Sequence, residues 1–125
     1  MVALHPQLLA LGRILLAFIF VMAGFNKIVA YAGTQQYMEQ AGLPGLLLPL
    51  VILVELGGGL ALVAGFMTRW AALALAFFTL LTAFIFHFDF ADQAQSIQFM
   101  KNLAIAGGLI ALSVAGPGAF ALDKR

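Results

Sequence analysis

Cysteine is absent from the 125-residue sequence. The chain therefore forms no disulfide, performs no thiol chemistry and supplies no cysteine ligands for zinc or for an iron–sulfur cluster. Charged residues are scarce as well: they make up 9% of the chain, whereas soluble domains carry roughly 25%. Because 64% of the residues are hydrophobic, the composition argues against a soluble fold.

Several functional signatures are also missing. The net charge of +1 offers no basic surface of the kind that binds nucleic acid, so we expect no nucleic-acid partner. The sequence contains no glycine-rich phosphate loop, no nucleophile elbow and no metalloprotease motif. Any redox chemistry would therefore need electrons carried by a bound organic molecule or by a partner protein.

The sequence does contain four apolar stretches, at 8–30, 46–67, 70–88 and 99–115. Each is close to the ~20 residues that cross a bilayer as a helix. They are apolar on every face, unlike the alternating strands of a membrane β-barrel. The first stretch is too long for a signal peptide, contains Arg13 and ends without a cleavage pattern. We predict a single all-α domain: a polytopic four-transmembrane-helix bundle embedded in the lipid bilayer, with an uncleaved first span.

The distribution of Lys and Arg predicts the orientation of the bundle. An even number of spans places both termini on one side, and that side is cytoplasmic when it carries the excess of positive residues. The terminal side holds Arg13, Arg69, Lys124 and Arg125, and the opposite side holds Lys27 and Lys101. We predict a bacterial inner (plasma) membrane protein with cytoplasmic N- and C-termini, whose topology depends on Arg13 and Arg69.

The first outer connection, 31–45, contains a candidate surface helix. Residues 34–41 would form it, with Thr34 as the N-cap and with Gly42 and Pro44 ending it. We predict that this short helix lies along the membrane interface.

Helix faces follow from residue spacing. On the first span, spacings of four and three align Arg13, Ala17, Phe20, Gly24 and Lys27 on a face that we expect to turn inward. Small residues recur every three or four positions at Gly57, Ala61 and Gly65 in the second span, and at Ala104, Gly108, Ala111 and Ala115 in the fourth. Such stripes favour close helix contact within the bundle or at a homo-oligomer interface. They also reflect how common glycine and alanine are in membrane helices.

Glu55 is the polar residue whose position is hardest to explain by topology alone. A charged side chain in the hydrocarbon costs roughly 2.5–3.5 kcal/mol, and Glu55 lies about 13 Å below the outer boundary, too deep to reach the interface. It must face the interior, either as a functional group or as half of a structural ion pair. Arg13, Lys27 and Lys101 are all possible partners. Because Arg13 and Lys27 differ from it in depth by about 8–11 Å, we expect a frequently protonated acid and a candidate proton carrier.

Further polar residues cluster near the outer ends of the helices. The predicted ligand-binding residues are Asn26, Lys27, Glu55, His87, Lys101 and Asn102, with Phe84, Phe86, Phe88 and Phe99 around them. Such a cavity would suit a small aromatic headgroup. The alternative is that Lys27, His87, Asp89 and Lys101 sit at helix ends and reach the interface only to fix topology.

Metal and haem sites are not expected. The two histidines, His5 and His87, fall on opposite sides of the membrane in this layout, so they could not share a metal or a haem within one protomer.

Short motifs spread over nearly the whole chain resemble the DoxX family of small four-span membrane proteins, and within it the YqjF-like bacterial branch. The motifs are Gly12-Arg13, Gly24-Phe25-Asn26-Lys27, Tyr31 to Glu39, Gly42-Leu43-Pro44, Glu55-Leu56-Gly57-Gly58-Gly59, Thr68-Arg69, Phe86-His87, Phe99-Met100-Lys101-Asn102 and Gly116-Pro117-Gly118. The family takes its name from a relative of a thiosulfate:quinone oxidoreductase subunit, and its members are linked to quinone or catechol stress and to membrane oxidoreductase complexes.

The resemblance implies that a quinone or a similar small aromatic is the ligand, and that the chain is an accessory or subunit of a redox system rather than a self-contained enzyme. A separate soluble or membrane redox partner would complete that system, because the chain has no soluble domain of its own. Two alternatives remain: a non-catalytic scaffold or assembly factor, and an exporter of small aromatic compounds. Fold does not decide between them.

Overall fold

The computed structural model describes residues 5–87 and 89–123, which form helices, turns and short irregular segments. The helices are α1 (His5–Val29), α2 (Tyr31–Gln40), α3 (Gly45–Ala64), α4 (Thr68–Phe86) and α5 (Gln93–Ala115). All of them except α2 are long and apolar enough to cross a membrane. The prediction of an all-α, four-span membrane bundle is confirmed.

The four spans are arranged as two closely packed pairs. Helix α1 packs along α3, and α4 packs along α5, while contacts between the pairs centre on a shared apolar core. Phe20, Leu62, Leu75 and Leu109 are buried in that core, one from each span. The predicted inward face of α1 is confirmed, since Arg13, Ala17, Phe20 and Gly24 are buried and Lys27 is partly buried.

Two glycines allow α1 and α3 to approach closely, and only one residue of the predicted stripe on α3 is buried. A Cβ added to Gly24 would lie 2.9 Å from the Cβ of Leu56, and one added to Gly59 would lie 2.9 Å from a methyl group of Val21. Gly57, by contrast, is exposed. Of the remaining stripe residues, Ala104, Ala111 and Ala115 are exposed, Ala61 and Gly108 are partly buried, and Gly65 is buried. Within the chain, the close contact between α1 and α3 is therefore made by the face of α3 that carries Leu56 and Gly59, next to the predicted stripe.

Helix α2 begins earlier than expected. It starts at Tyr31, directly after a break at Ala30, and the Thr34 hydroxyl donates to the Ala30 carbonyl at 2.9 Å. Thr34 is therefore an interior residue, and the prediction that it caps the helix is wrong. The end is as predicted: Gly42 has φ +90°, a left-handed conformation that suits glycine and stops the helix.

The last span also begins earlier, at Gln93 rather than at residue 99. Asp92 caps it by accepting a hydrogen bond from the Ala94 amide at 3.0 Å. The first two turns of α5 are polar, so hydropathy alone assigned them to a loop. Helix α4 ends at Phe86, within the predicted span.

A candidate ligand-binding cavity

A cavity of about 530 Å³ lies between the two helix pairs, and α2 contributes to its lining. This volume falls in the range of small-molecule sites, roughly 300–1,000 Å³. Most of the lining is apolar, with side chains from all five helices. The polar residues in the lining, tyrosine apart, are Lys27, Thr34, Glu55, Thr79, Thr82, His87, Gln98 and Asn102.

An ion pair occupies one wall of the cavity. The ammonium Nζ of Lys27 lies 2.7 Å from Oε1 of Glu55, and the two side chains are 28% and 8% exposed. The sequence left the partner of Glu55 open among Arg13, Lys27 and Lys101. The structure identifies Lys27 as the partner, because the four-carbon stem of Lys27 lets its charge reach along the bundle.

A π-helical turn, Leu53–Gly57, carries Glu55. Such turns are rare and are frequently found at functional sites. The additional residue interrupts the regular hydrogen bonding and rotates the side chains that follow. Consecutive glycines, which weaken the regular helix, close the turn at Gly57 and continue to Gly59. The π turn places Glu55 in the cavity lining and Gly59 against α1.

A cluster of hydrogen-bonded side chains forms the wall contributed by the other helix pair. The Asn102 amide nitrogen donates to the Thr79 carbonyl at 3.3 Å and to the Thr82 hydroxyl at 3.2 Å. The Thr82 hydroxyl in turn donates to the same Thr79 carbonyl at 3.0 Å. Sequence reasoning identified Asn102 but missed both threonines, because a membrane helix accommodates threonine at little cost by bonding its hydroxyl to the preceding turn.

Aromatic and polar side chains meet where α2 approaches the end of α4. Tyr37 stacks on Phe86 with ring centroids 5.2 Å apart, and both line the cavity. His87 Nδ1 lies 2.6 Å from Oε1 of Gln95, so the histidine ring is held in one orientation. The Tyr37–Phe86 stack therefore joins α2 to α4, and the His87–Gln95 bond joins the end of α4 to α5.

The structure brings together Lys27, Glu55, His87 and Asn102, but Asn26 and Lys101 are exposed and do not line the cavity. Each of these two precedes a lining residue by one position, and one position rotates a helix by about 100°. Among the predicted phenylalanines, Phe86 is a lining residue, whereas Phe84 and Phe99 pack edge-to-face on each other with centroids 5.2 Å apart. Phe88 lies outside the described residues.

A second polar centre lies at the opposite end of the bundle, around Arg13. Its guanidinium is fully buried and donates to the carbonyls of Pro117, Ala119 and Phe120 at 2.6, 3.0 and 2.9 Å. These contacts hold the segment after α5, residues 116–123, against the bundle. Arg13 therefore has a structural role that goes beyond topology.

Asp123 completes this second centre by capping α4. Its two carboxylate oxygens accept from the amides of Met67 and Thr68, both at 2.7 Å. Desolvation acts to raise the pKa of Asp123, but hydrogen bonds from Thr68 and Met67 and the charge of Arg13 outweigh it and hold the pKa below its ordinary value. Arg69, the other predicted topology residue, is exposed in the first turn of α4.

No group of three His, Asp or Glu side chains lies close enough to hold a metal ion within 5–87 and 89–123. His5 begins α1 and His87 follows α4, so the histidines lie at opposite ends of the bundle.

Comparisons with known proteins place the chain among small membrane proteins. The family model described as DoxX matches residues 8–88. The chain is 58% identical over 113 residues to "Inner membrane protein YqjF" of Escherichia coli strain K12, covering 90% of this chain and 87% of that protein. It is 40% identical over 130 residues to "Inner membrane protein YphA" of the same strain, covering 98% of this chain and 93% of that protein. No solved structure matches.

Proposed function

This chain belongs to the DoxX family and is an integral inner-membrane protein, and from that premise we propose that its cavity binds a quinone or a similar small aromatic molecule. The observation that carries the proposal is the 530 Å³ cavity itself, which is apolar over most of its surface and has the Lys27–Glu55 pair in its lining. Apolar surface with a few fixed polar groups is typical of sites for small organic ligands.

The two parts of such a ligand match the two kinds of lining. Phe78 and Phe86 offer faces against which an aromatic ring can pack. Lys27 has three N–H donors and Glu55 occupies part of this capacity, so the ammonium can also donate to a ligand oxygen. A hydrogen bond from a charged donor is stronger than one between neutral groups.

The chain's own chemical contribution is to bind the ring and to hold a proton. A quinone, when bound, supplies the electron-accepting chemistry. Glu55 lies within hydrogen-bond distance of Lys27, so a proton can pass between the ammonium and Oε1. Electrons would come from a separate redox partner, which makes the chain an accessory or subunit of a quinone-linked system.

The proposed orientation places both termini in the cytoplasm, following the positive charge at Arg69 and at the C-terminal Lys124 and Arg125. The end of the cavity near His87 then faces the periplasmic side. Reporter fusions at both termini test this, and a periplasmic signal from either one would reverse the arrangement.

A structural scaffold is the second candidate function, favoured by one observation. Lys27 and Glu55 pair with each other directly at 2.7 Å. If that is their whole purpose, the pair only fixes α1 against α3. The two functions differ in whether changes to the pair alter ligand binding.

The test uses purified protein in nanodiscs made without quinone, with duroquinone as the probe and thermal unfolding as the measurement. Lys101→Met is the matched control, because Lys101 is exposed near the same end of the bundle and does not line the cavity. We expect saturable stabilisation of the wild-type and K101M proteins and none of E55Q or of the double variant K27M/E55Q. An equal response from all four proteins would support the scaffold instead.

A further inference from the structure

Thr79 has a buried hydroxyl that is not accounted for by the rest of the bundle. The residue is 4% exposed and lines the cavity, and its Oγ1 has no hydrogen-bond partner among residues 5–87 and 89–123. The buried Thr68 hydroxyl likewise has no hydrogen-bond partner among the described residues, but Thr68 does not line the cavity. Three other hydroxyls in these helices bond to the preceding turn: Thr34 to Ala30, Thr82 to Thr79, and Ser113 to Ile110. The Thr79 hydroxyl departs from that pattern.

The neighbouring donors are already committed, so the cluster cannot satisfy Thr79 from within. The Asn102 amide nitrogen serves the Thr79 carbonyl and the Thr82 hydroxyl, and the Thr82 hydroxyl serves that carbonyl too. These bonds fix the backbone and side chains around Thr79. A buried polar group left without a partner is unfavourable and uncommon, and a bound water or ligand can complete its bonding.

The position of Thr79 relative to the ion pair indicates what kind of ligand would complete it. Lys27 and Glu55 belong to the α1–α3 pair, whereas Thr79 belongs to α4 of the other pair, and all three line the cavity that separates the pairs. A ring with one oxygen can bond to only one of these walls. A ring with two oxygens has a hydrogen-bonding group for each wall.

We infer that the Thr79 hydroxyl binds the second oxygen of the ligand whose first oxygen meets Lys27, and so selects rings with two oxygens over rings with one. This inference rests on the proposed function, since it concerns the same cavity. It makes Thr79 a specificity-determining residue for quinone- and hydroquinone-type ligands. This contact is a hydrogen bond between the Thr79 hydroxyl and the ligand oxygen, so no covalent bond is formed or broken.

The test compares two probes that differ by one hydroxyl: tetramethylhydroquinone and 2,3,5,6-tetramethylphenol. Both are bound to the full-length protein in quinone-free nanodiscs under a reductant, which leaves the protein's bonding unchanged because the chain contains no cysteine. We expect the wild type and Thr79→Ser to prefer the two-oxygen ring by about tenfold in Kd, about 1.4 kcal/mol. Thr79→Val, which keeps the shape and removes the hydroxyl, should bind the two rings alike.

Two further variants keep the result interpretable. Ser113→Ala removes a buried hydroxyl that lies outside the cavity lining and should retain the wild-type preference. The melting temperature of unliganded T79V should equal or exceed that of the wild type, because the lost hydroxyl had no partner; if T79V does not fold, Thr79→Ala takes its place.

A two-oxygen preference that persists in T79V or T79A overturns the inference while leaving the proposed function intact. If neither probe binds the wild type, the proposed ligand class is wrong and the inference fails with it.

Discussion

The geometry of the Lys27–Glu55 pair predicts how much unfolding free energy is lost when one partner is removed. Glu55 has only 8% of its side chain exposed, so Lys27→Met leaves a buried carboxylate without its cation at 2.7 Å. Losing one partner of a buried pair costs about 3–5 kcal/mol. Because Lys27 itself is 28% exposed, we expect the lower end, about 3 kcal/mol of unfolding free energy.

The opposite change should cost less. Glu55→Gln leaves Lys27 unpaired, but its flexible stem can carry the ammonium toward the interface, so we expect a loss of about 1 kcal/mol. In the double variant K27M/E55Q no charge is left to be paired, and its stability should lie within about 1 kcal/mol of the wild type. The coupling energy of the double-mutant cycle is then about 3–5 kcal/mol.

Reversible unfolding in mixed detergent micelles measures all four corners of this cycle. Lys101→Met serves as the control for loss of an exposed membrane lysine and should change stability by less than about 0.5 kcal/mol. If the two single changes add in the double variant, the two side chains do not interact and the assignment of the pair is refuted.

Three further predictions concern the rest of the fold. Arg13→Lys should destabilise the protein by about 3 kcal/mol in the same unfolding assay, because a single ammonium cannot replace the planar guanidinium that donates to three carbonyls. A neutral result would contradict this. Gly24→Ala should cost about 1–3 kcal/mol through its clash with Leu56, whereas Gly57→Ala should be nearly neutral, and equal effects would show that α1 and α3 do not meet at Gly24. Because its folded-state pKa is lowered, Asp123 should stabilise the protein above its unfolded-state pKa of about 4 and lose that effect as the pH falls through the folded-state value. The stability difference between the wild type and Asp123→Asn, followed by thermal unfolding from pH 7 to 3, should therefore shrink on acidification; a constant difference would contradict the capping role.

The sequence predicted those features that depend on hydropathy and helical periodicity. Four apolar runs determined the number of spans, and the spacing from Arg13 to Lys27 identified the inward face of α1. The depth of Glu55 showed that it must be buried, and the structure agrees. These features follow from the free energy of transferring each side chain from water to hydrocarbon, which depends on residue type and can therefore be read from the sequence.

Other features depend on local departures from regular helix geometry, on the rotation of each helix and on the pairing of single side chains. Composition and hydropathy do not reveal these. The π turn at Leu53–Gly57 changes the rotation of α3 by one residue, so the glycine that contacts α1 is Gly59. Asn26 and Lys101 miss the cavity by a single helical position. Thr79 gave no signal, because only the structure shows that its hydroxyl lacks a partner.

The proposed function requires that a quinone occupies the cavity rather than dissolving in the surrounding lipid. Photolabelling with an azido-substituted benzoquinone in nanodiscs, followed by peptide mapping, distinguishes the two. We expect labelling of lining residues such as Tyr37, Val54 and Phe86, and loss of that labelling when duroquinone is added in excess. Labelling that instead concentrates on exposed residues outside the lining, such as Leu15 and Val114, and persists with excess duroquinone would contradict the account.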